Sequence, residues 1–140
     1  MLKLINAYSA EQQAIAIYSA EVFWCPGESG NLFREVLAEE LSHQQSVRPF
    51  ITAWFLVMLI TPFNYFFGWL LGSLLSLLPR LLCYRIHVWA EVEAAKTYEN
   101  TLRNLGQGAH HDLIDALRTA VSQEYAHAER FRKLMEIRKS

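Results

Sequence analysis

Apolar and polar residues recur along most of the chain at the three- to four-residue spacing of amphipathic helices. No run of strict apolar–polar alternation between turn residues occurs, so no strand is predicted. The spacing predicts helices over about residues 7–23, 31–47, 84–105 and 110–140. We expect the first to end at CPGESG, the second to begin with Asn31 as N-cap and stop before Pro49, and the third to end at GQG.

The middle of the chain breaks this pattern. Residues 50–79 carry no charge and read FITAWFLVMLITPFNYFFGWLLGSLLSLLP. A soluble core helix would keep one polar face, whereas this segment is apolar all round, which favours contact with a membrane. Because proline interrupts helices, we expect two helical pieces divided near Pro62.

Four amphipathic helices with an apolar insert between the second and third predict an all-α protein, a four-helix bundle with one long crossover. At 140 residues the chain has the size of a single domain, with the crossover over residues 50–83.

The two halves of the chain repeat. Each begins with a Glu, an Ala three residues later and a Tyr seven residues later, and each goes on to a Glu-x-x-His. Residues three apart on a helix leave the same face. The repeated glutamate and histidine positions are Glu11, Glu40, His43, Glu91, Glu124 and His127.

One carboxylate from each of two helices, with Glu-x-x-His from the other two, is the ligand set of a di-iron or di-manganese site in a bundle core. Oxygen-rich ligation with few nitrogens and no thiolate suits iron or manganese better than structural zinc. The alternative is that these are surface glutamates and histidines with solvated or paired side chains.

Other polar residues lie near the predicted ligands. His87 shares a helix face with Glu91, and Tyr18 and Tyr98 lie two turns from the first glutamate of each half. These three side chains are candidates for hydrogen bonds to a ligand, and core packing is the alternative for each. Residues predicted to face solvent are Glu39, Glu93, Glu129, His110 and His111.

Composition narrows the function. The net charge of -1 argues against nucleic acid as a partner. Cys25 and Cys83 have no motif spacing and are predicted to be reduced thiols. No signal peptide is predicted, and no GxGxxG motif for a flavin or nicotinamide is present, so electrons would come from an external donor.

The predicted metal site constrains the apolar segment. The four ligand helices must meet in one bundle, which excludes a single span through residues 50–79. The piece before Pro62, about 12 residues long, would reach only about 18 Å, too short for a hydrocarbon core of roughly 30 Å. We therefore expect a re-entrant or interface-lying hairpin and a lipid-borne substrate.

These features resemble the demethoxyubiquinone hydroxylase family, membrane-bound di-iron enzymes of ubiquinone biosynthesis with a ferritin-like bundle. The resemblance covers nearly the whole chain. It is carried by the six ligand positions and by further motif residues: Ala14, Ile17 and Tyr18; Arg48-Pro49; Gly68 and Gly72; and Tyr98 with Thr101-Leu102-Arg103. The sequence departs from the family in having Thr97 and Tyr8 where members often have His, Ala10 for Gly, and a shorter stretch between His43 and Arg48.

The resemblance implies a monooxygenase that uses two irons, with manganese as an alternative, and O2 to hydroxylate a prenylated benzoquinol. It also implies a peripheral position on the cytoplasmic face of a bacterial inner membrane or the matrix side of a mitochondrial one, as a homo-oligomer or in a quinone-biosynthesis complex. The alternatives are a rubrerythrin-like peroxidase or ferroxidase at the same metals, and a non-enzymatic membrane-associated helical scaffold.

Overall fold

The computed structural model describes residues 2–106 and 109–138, and this part of the chain is helical with no strand. The all-α prediction is confirmed. A short 3₁₀ turn at Arg48–Phe50 follows the second helix. The five helices are α1 (Leu2–Trp24), α2 (Glu28–Val47), α3 (Trp54–Ser76), α4 (Arg80–Arg103) and α5 (His111–Ile137).

Contacts between residues divide the chain into two compact units, one ending at Leu77 and the other beginning at Leu78. Unit 1 holds α1, α2 and α3, and unit 2 holds α4 and α5. The organisation of the chain as one domain stays a prediction.

The turn from α1 to α2 is tighter than the sequence predicts. Gly27 caps α2 with a φ of 81°, a conformation that a residue without a Cβ adopts readily. Helix α2 therefore begins at Glu28, and Asn31 N–H donates to the Gly27 carbonyl at 3.0 Å inside the first turn. The prediction of Asn31 as N-cap was wrong, and its side chain accepts a hydrogen bond from Arg34 instead.

Helix α1 packs against both other helices of unit 1. The Tyr18 and Phe33 rings lie 6.1 Å apart where α2 returns antiparallel to α1. Tyr8 packs edge-to-face on Trp54 near the beginning of each helix, and Trp24 donates to Ser73 near the end of each. Helices α1 and α3 therefore run parallel.

The apolar segment forms one helix through Pro62, so the predicted division into two pieces is wrong. Proline removes one backbone N–H, at a cost of about 3 kcal/mol. The Thr61 hydroxyl donates to the Val57 carbonyl at 2.7 Å in the same turn. Close packing of Gly68 and Gly72 on α1 favours a continuous α3 and offsets the proline. The short first piece, on which the predicted hairpin depended, does not exist.

Unit 2 is an antiparallel pair of long helices. Tyr84 and Phe131 pack with ring centroids 5.8 Å apart, and Tyr125 donates to Glu99 at 3.1 Å further along the pair. Helix α4 ends at Arg103, two residues before its predicted end. Part of the predicted GQG break (residues 107 and 108) and the end of the last predicted helix (residues 139 and 140) lie outside the described residues.

Candidate metal centre

Unit 1 brings three of the predicted ligands together. Glu11 comes from α1, and Glu40 and His43 from consecutive turns of α2. The Nδ1 atom of His43 lies 3.8 Å from Glu11 Oε2 and 3.7 Å from Glu40 Oε2. All three side chains are buried, with 3% or less of each residue exposed. We call this group half-site 1.

Unit 2 repeats the arrangement with Glu91 from α4 and Glu124 and His127 from α5. His127 Nδ1 lies 3.2 Å from Glu91 Oε2, within hydrogen-bonding distance, and 3.6 Å from Glu124 Oε2. These residues are also buried, and His127 is fully enclosed. We call this group half-site 2. The repeat in the sequence is therefore a repeat in side-chain geometry.

Each half-site suits a divalent metal ion. Donor atoms that each lie about 2.1 Å from one ion are about 3.0–3.8 Å apart at ordinary bond angles. The imidazole-to-carboxylate distances of 3.2–3.8 Å in both half-sites fall in this range. Buried carboxylates cost free energy unless a positive charge compensates them, and a metal ion supplies that charge. Two carboxylates and one neutral nitrogen per half-site favour iron or manganese.

Comparison with known proteins identifies the family of this chain. The family model of the ubiquinone biosynthesis protein COQ7 matches residues 7–137, which include all six predicted ligands. The chain belongs to the COQ7 family. No match was found among curated proteins or among solved structures. Membership in the COQ7 family supports a role in ubiquinone biosynthesis.

The three further residues that the sequence pointed to are buried in this COQ7-family chain. Tyr18 is in contact with Phe33, and His87 stacks on Phe131 with ring centroids 4.8 Å apart and planes inclined by 16°. Tyr98 is 2% exposed on α4. The contacts of Tyr18 and His87 with aromatic rings agree with core packing, and their roles toward the ligands stay predictions.

Sequence reasoning missed Glu21. This carboxylate is fully buried on α1, ten residues after Glu11 and therefore about 80° away around the helix. One signal was available, since Glu21 follows Tyr18 by three residues and shares its buried face. Gln12 was also missed and is 2% exposed.

The residues predicted to face solvent do so to different degrees. Glu129 and the two histidines at the start of α5 are exposed. Glu93 is about half exposed and forms an ion pair with Lys96 at 2.7 Å. Glu39 is intermediate in exposure. Cys25 and Cys83 are free cysteines, and both are buried.

Tyr8 stands at a position where the family resemblance leads us to expect His. Its ring packs edge-to-face on Trp54, and the Arg48 guanidinium lies 5.4 Å from the centroid of the same Trp54 ring. Burial raises the pKa of the Tyr8 phenol, and the positive charge of Arg48 opposes that rise. A neutral tyrosine therefore occupies this position across the physiological pH range.

Helix α3 presents a wide apolar surface. It is the one helix among the described residues that is long and apolar enough to cross a membrane. Phe55, Met58, Phe63 and Phe66 are each more than 60% exposed, and Phe23 extends this surface from the end of α1. An exposed apolar area of this extent is consistent with membrane association.

Proposed function

We propose that this chain is a di-iron monooxygenase that hydroxylates the ring of a prenylated benzoquinol in ubiquinone biosynthesis. The observation that carries the proposal is the repeated buried half-site, two carboxylates and an imidazole nitrogen in each unit of a COQ7-family chain. The proposed ligands are Glu11, Glu40, His43, Glu91, Glu124 and His127.

Bound iron would supply the reduction of O2 that ring hydroxylation requires. One oxygen atom is inserted into the ring C–H bond to give a hydroxyl group, and the other leaves as water, with two electrons from an external donor and two protons from solvent. The protein residues hold the site. Placing each histidine three residues after a glutamate on one helix orients both donors from a rigid element. Burial keeps water away from the carboxylates and strengthens their attraction for a cation.

An apolar substrate suits the surface of unit 1. A groove of about 370 Å³ lies between α1 and α3, lined by Ala16, Ser19, Tyr65, Phe66 and Trp69. The Ser19 hydroxyl donates to the Ile15 carbonyl at 2.6 Å, so this polar atom of the wall is already satisfied. The groove offers contacts for a prenyl chain that arrives from the lipid.

We propose a peripheral position on the membrane, with α3 lying in the interface. Its partner α1 runs parallel to it and carries the buried carboxylates of Glu11 and Glu21. A span through the bilayer would carry these carboxylates across the hydrocarbon core beside α3, which is costly. In line with the family resemblance, we propose that the protein lies on the cytoplasmic face of a bacterial inner membrane or on the matrix side of a mitochondrial one.

The test is oxygen incorporation. Protein loaded with iron, supplied with a chemical reductant and a prenylated methoxybenzoquinol in detergent, should add one atom of isotopically labelled O2 per product. Glu40→Ala should lower the rate by at least about 100-fold, since it removes a ligand from half-site 1. Rapid consumption of hydrogen peroxide without ring hydroxylation would favour the peroxidase alternative, and absence of both activities would favour the scaffold.

A further inference from the structure

A group of hydrogen-bonded polar side chains joins α1 to α3 within unit 1. Gln12 Nε2 donates to Thr61 Oγ1 at 2.6 Å, and Gln12 Oε1 accepts from Asn64 Nδ2 at 2.9 Å. Asn64 Oδ1 also accepts from Gln13 Nε2 at 3.1 Å. We call these four residues the polar cluster.

Two members of the polar cluster, Gln12 and Asn64, are shielded from water. Asn64 is 8% exposed within a helix that carries no charged residue, and Gln12 is 2% exposed. A buried amide that loses its partner costs about 1–3 kcal/mol. Any other alignment of α1 on α3 would separate both amides from their partners, so the cluster disfavours such alignments.

The two helices are also joined by close contacts at two glycines, by apolar packing and by the exposed Trp24–Ser73 hydrogen bond. An ideal Cβ on Gly68 would lie 2.7 Å from the Gln13 carbonyl oxygen, and one on Gly72 would lie 2.8 Å from Ile17 Cα. These glycines permit close approach of the backbones. Apolar contacts are non-directional, so they tolerate a shift along the helix axis, whereas the hydrogen bonds of the cluster do not.

Gln12 directly follows Glu11, so the two side chains depart from one turn about 100° apart. A shift of one residue would move α1 by about 1.5 Å along its axis with a rotation of about 100°. Such a movement would remove Glu11 from its position 3.8 Å from His43. The alignment of α1 on α3 is therefore linked to the geometry of half-site 1.

We infer that the polar cluster is a register lock, a positioning device that aligns α1 on α3 and thereby directs Glu11 toward His43. Its importance for metal binding rests on the proposed function, while the alignment itself does not. The lock also links the helix with the apolar surface to the helix that supplies a ligand.

The test variant replaces both buried amides, as Gln12→Leu with Asn64→Leu. Removing the Gln12 and Asn64 amides together leaves few buried polar groups without a hydrogen bond. Gln13 is exposed to water, and Thr61 still donates to the Val57 carbonyl. We expect the double variant to keep a Tm close to that of the parent. If it fails to fold, Thr61→Val, which keeps the side-chain shape, takes its place.

Alignment is measured by pulsed electron resonance between nitroxides on cysteines introduced at Asn6 and Met58. Both positions are exposed, one on α1 and one on α3, and the native cysteines are buried. We expect a narrow distance distribution in the parent and a broadened or shifted one in the double variant. Ser73→Ala, which removes the exposed Trp24–Ser73 hydrogen bond between the same helices, should leave the distribution narrow.

Metal binding is measured by titration of the same proteins with Co²⁺. We expect the affinity for Co²⁺ to fall at least about 10-fold in the double variant while its Tm stays close to that of the parent. A cluster that only stabilised the fold would not lower Co²⁺ affinity at an unchanged Tm. An unchanged distance distribution would overturn the register lock, and a broadened one with parental Co²⁺ affinity would overturn its role for Glu11. A parent that binds no Co²⁺ would refute the proposed function, and the distance distributions would still decide whether the lock exists.

Discussion

At the residue scale, the sequence predicted six metal ligands, and the structure brings three of them together within each unit. The spacing of Glu-x-x-His carries this information, because residues three apart share a helix face. Glu21 and Gln12 were not predicted, although both are buried on α1. Neither belongs to a repeated motif, and the partners of Gln12 are on α3, about fifty residues away.

A single hydrogen bond between α4 and α5 makes a pH-dependent prediction. The Tyr125 hydroxyl donates to Glu99, and this bond raises the pKa of Tyr125 above its ordinary value of 10.0. The bond needs the protonated phenol, so its contribution is present below pH 10 and is lost as pH rises through the raised pKa. Glu99→Gln should lower the pKa of Tyr125, as measured by ultraviolet titration of phenolate with Tyr125→Phe as reference. An unchanged pKa would contradict the contact.

At the element scale, all the helices expected from hydrophobic spacing are present, with ends that differ by a few residues. The errors occurred where tertiary packing or backbone geometry overrides local preference. Pro62 is a helix breaker by local rules, and packing of α3 against α1 favours a continuous helix. Helix α2 begins earlier in the chain than predicted because Gly27 adopts a positive φ, which residue identity alone does not reveal.

Close packing of α1 and α3 predicts an unusual response to alanine. In an exposed helix, replacing glycine by alanine stabilises by up to about 1 kcal/mol. A Cβ at Gly72 would instead collide with the Ile17 backbone. Gly72→Ala should therefore lower the free energy of unfolding by about 1–3 kcal/mol in denaturant titration. Gly106→Ala, where a Cβ meets nothing within 4 Å, is the control and should change it by less than about 0.5 kcal/mol.

At the scale of the whole molecule, the uncharged residues 50–79 predicted an apolar surface, and the chain as a whole carries little net charge. With a net charge of -1, attraction to a membrane would come from apolar contact rather than from charge. The family predicted from the sequence is confirmed, because the COQ7 family model matches residues 7–137.

Neutral phosphatidylcholine vesicles test the apolar surface. The parent should sediment with them, and Phe66→Glu should weaken this binding at least about 10-fold, because a charge enters the apolar surface of α3. Ile137→Glu is the matched control, since Ile137 is 63% exposed on α5, outside the proposed contact, and Phe66 is 64% exposed. An equal loss of vesicle binding in both variants would contradict the proposed contact of α3 with the membrane.

Metal content tests the central claim most directly. The chain, produced with iron and purified in detergent, should contain about two irons per chain by mass spectrometry. Glu40→Ala and His127→Ala, one from each half-site, should each lower the content sharply. His111→Ala, an exposed histidine on α5 that pairs with Asp115, should retain it. Iron and manganese at background in the parent, or an iron content unchanged by both ligand variants, would contradict the account.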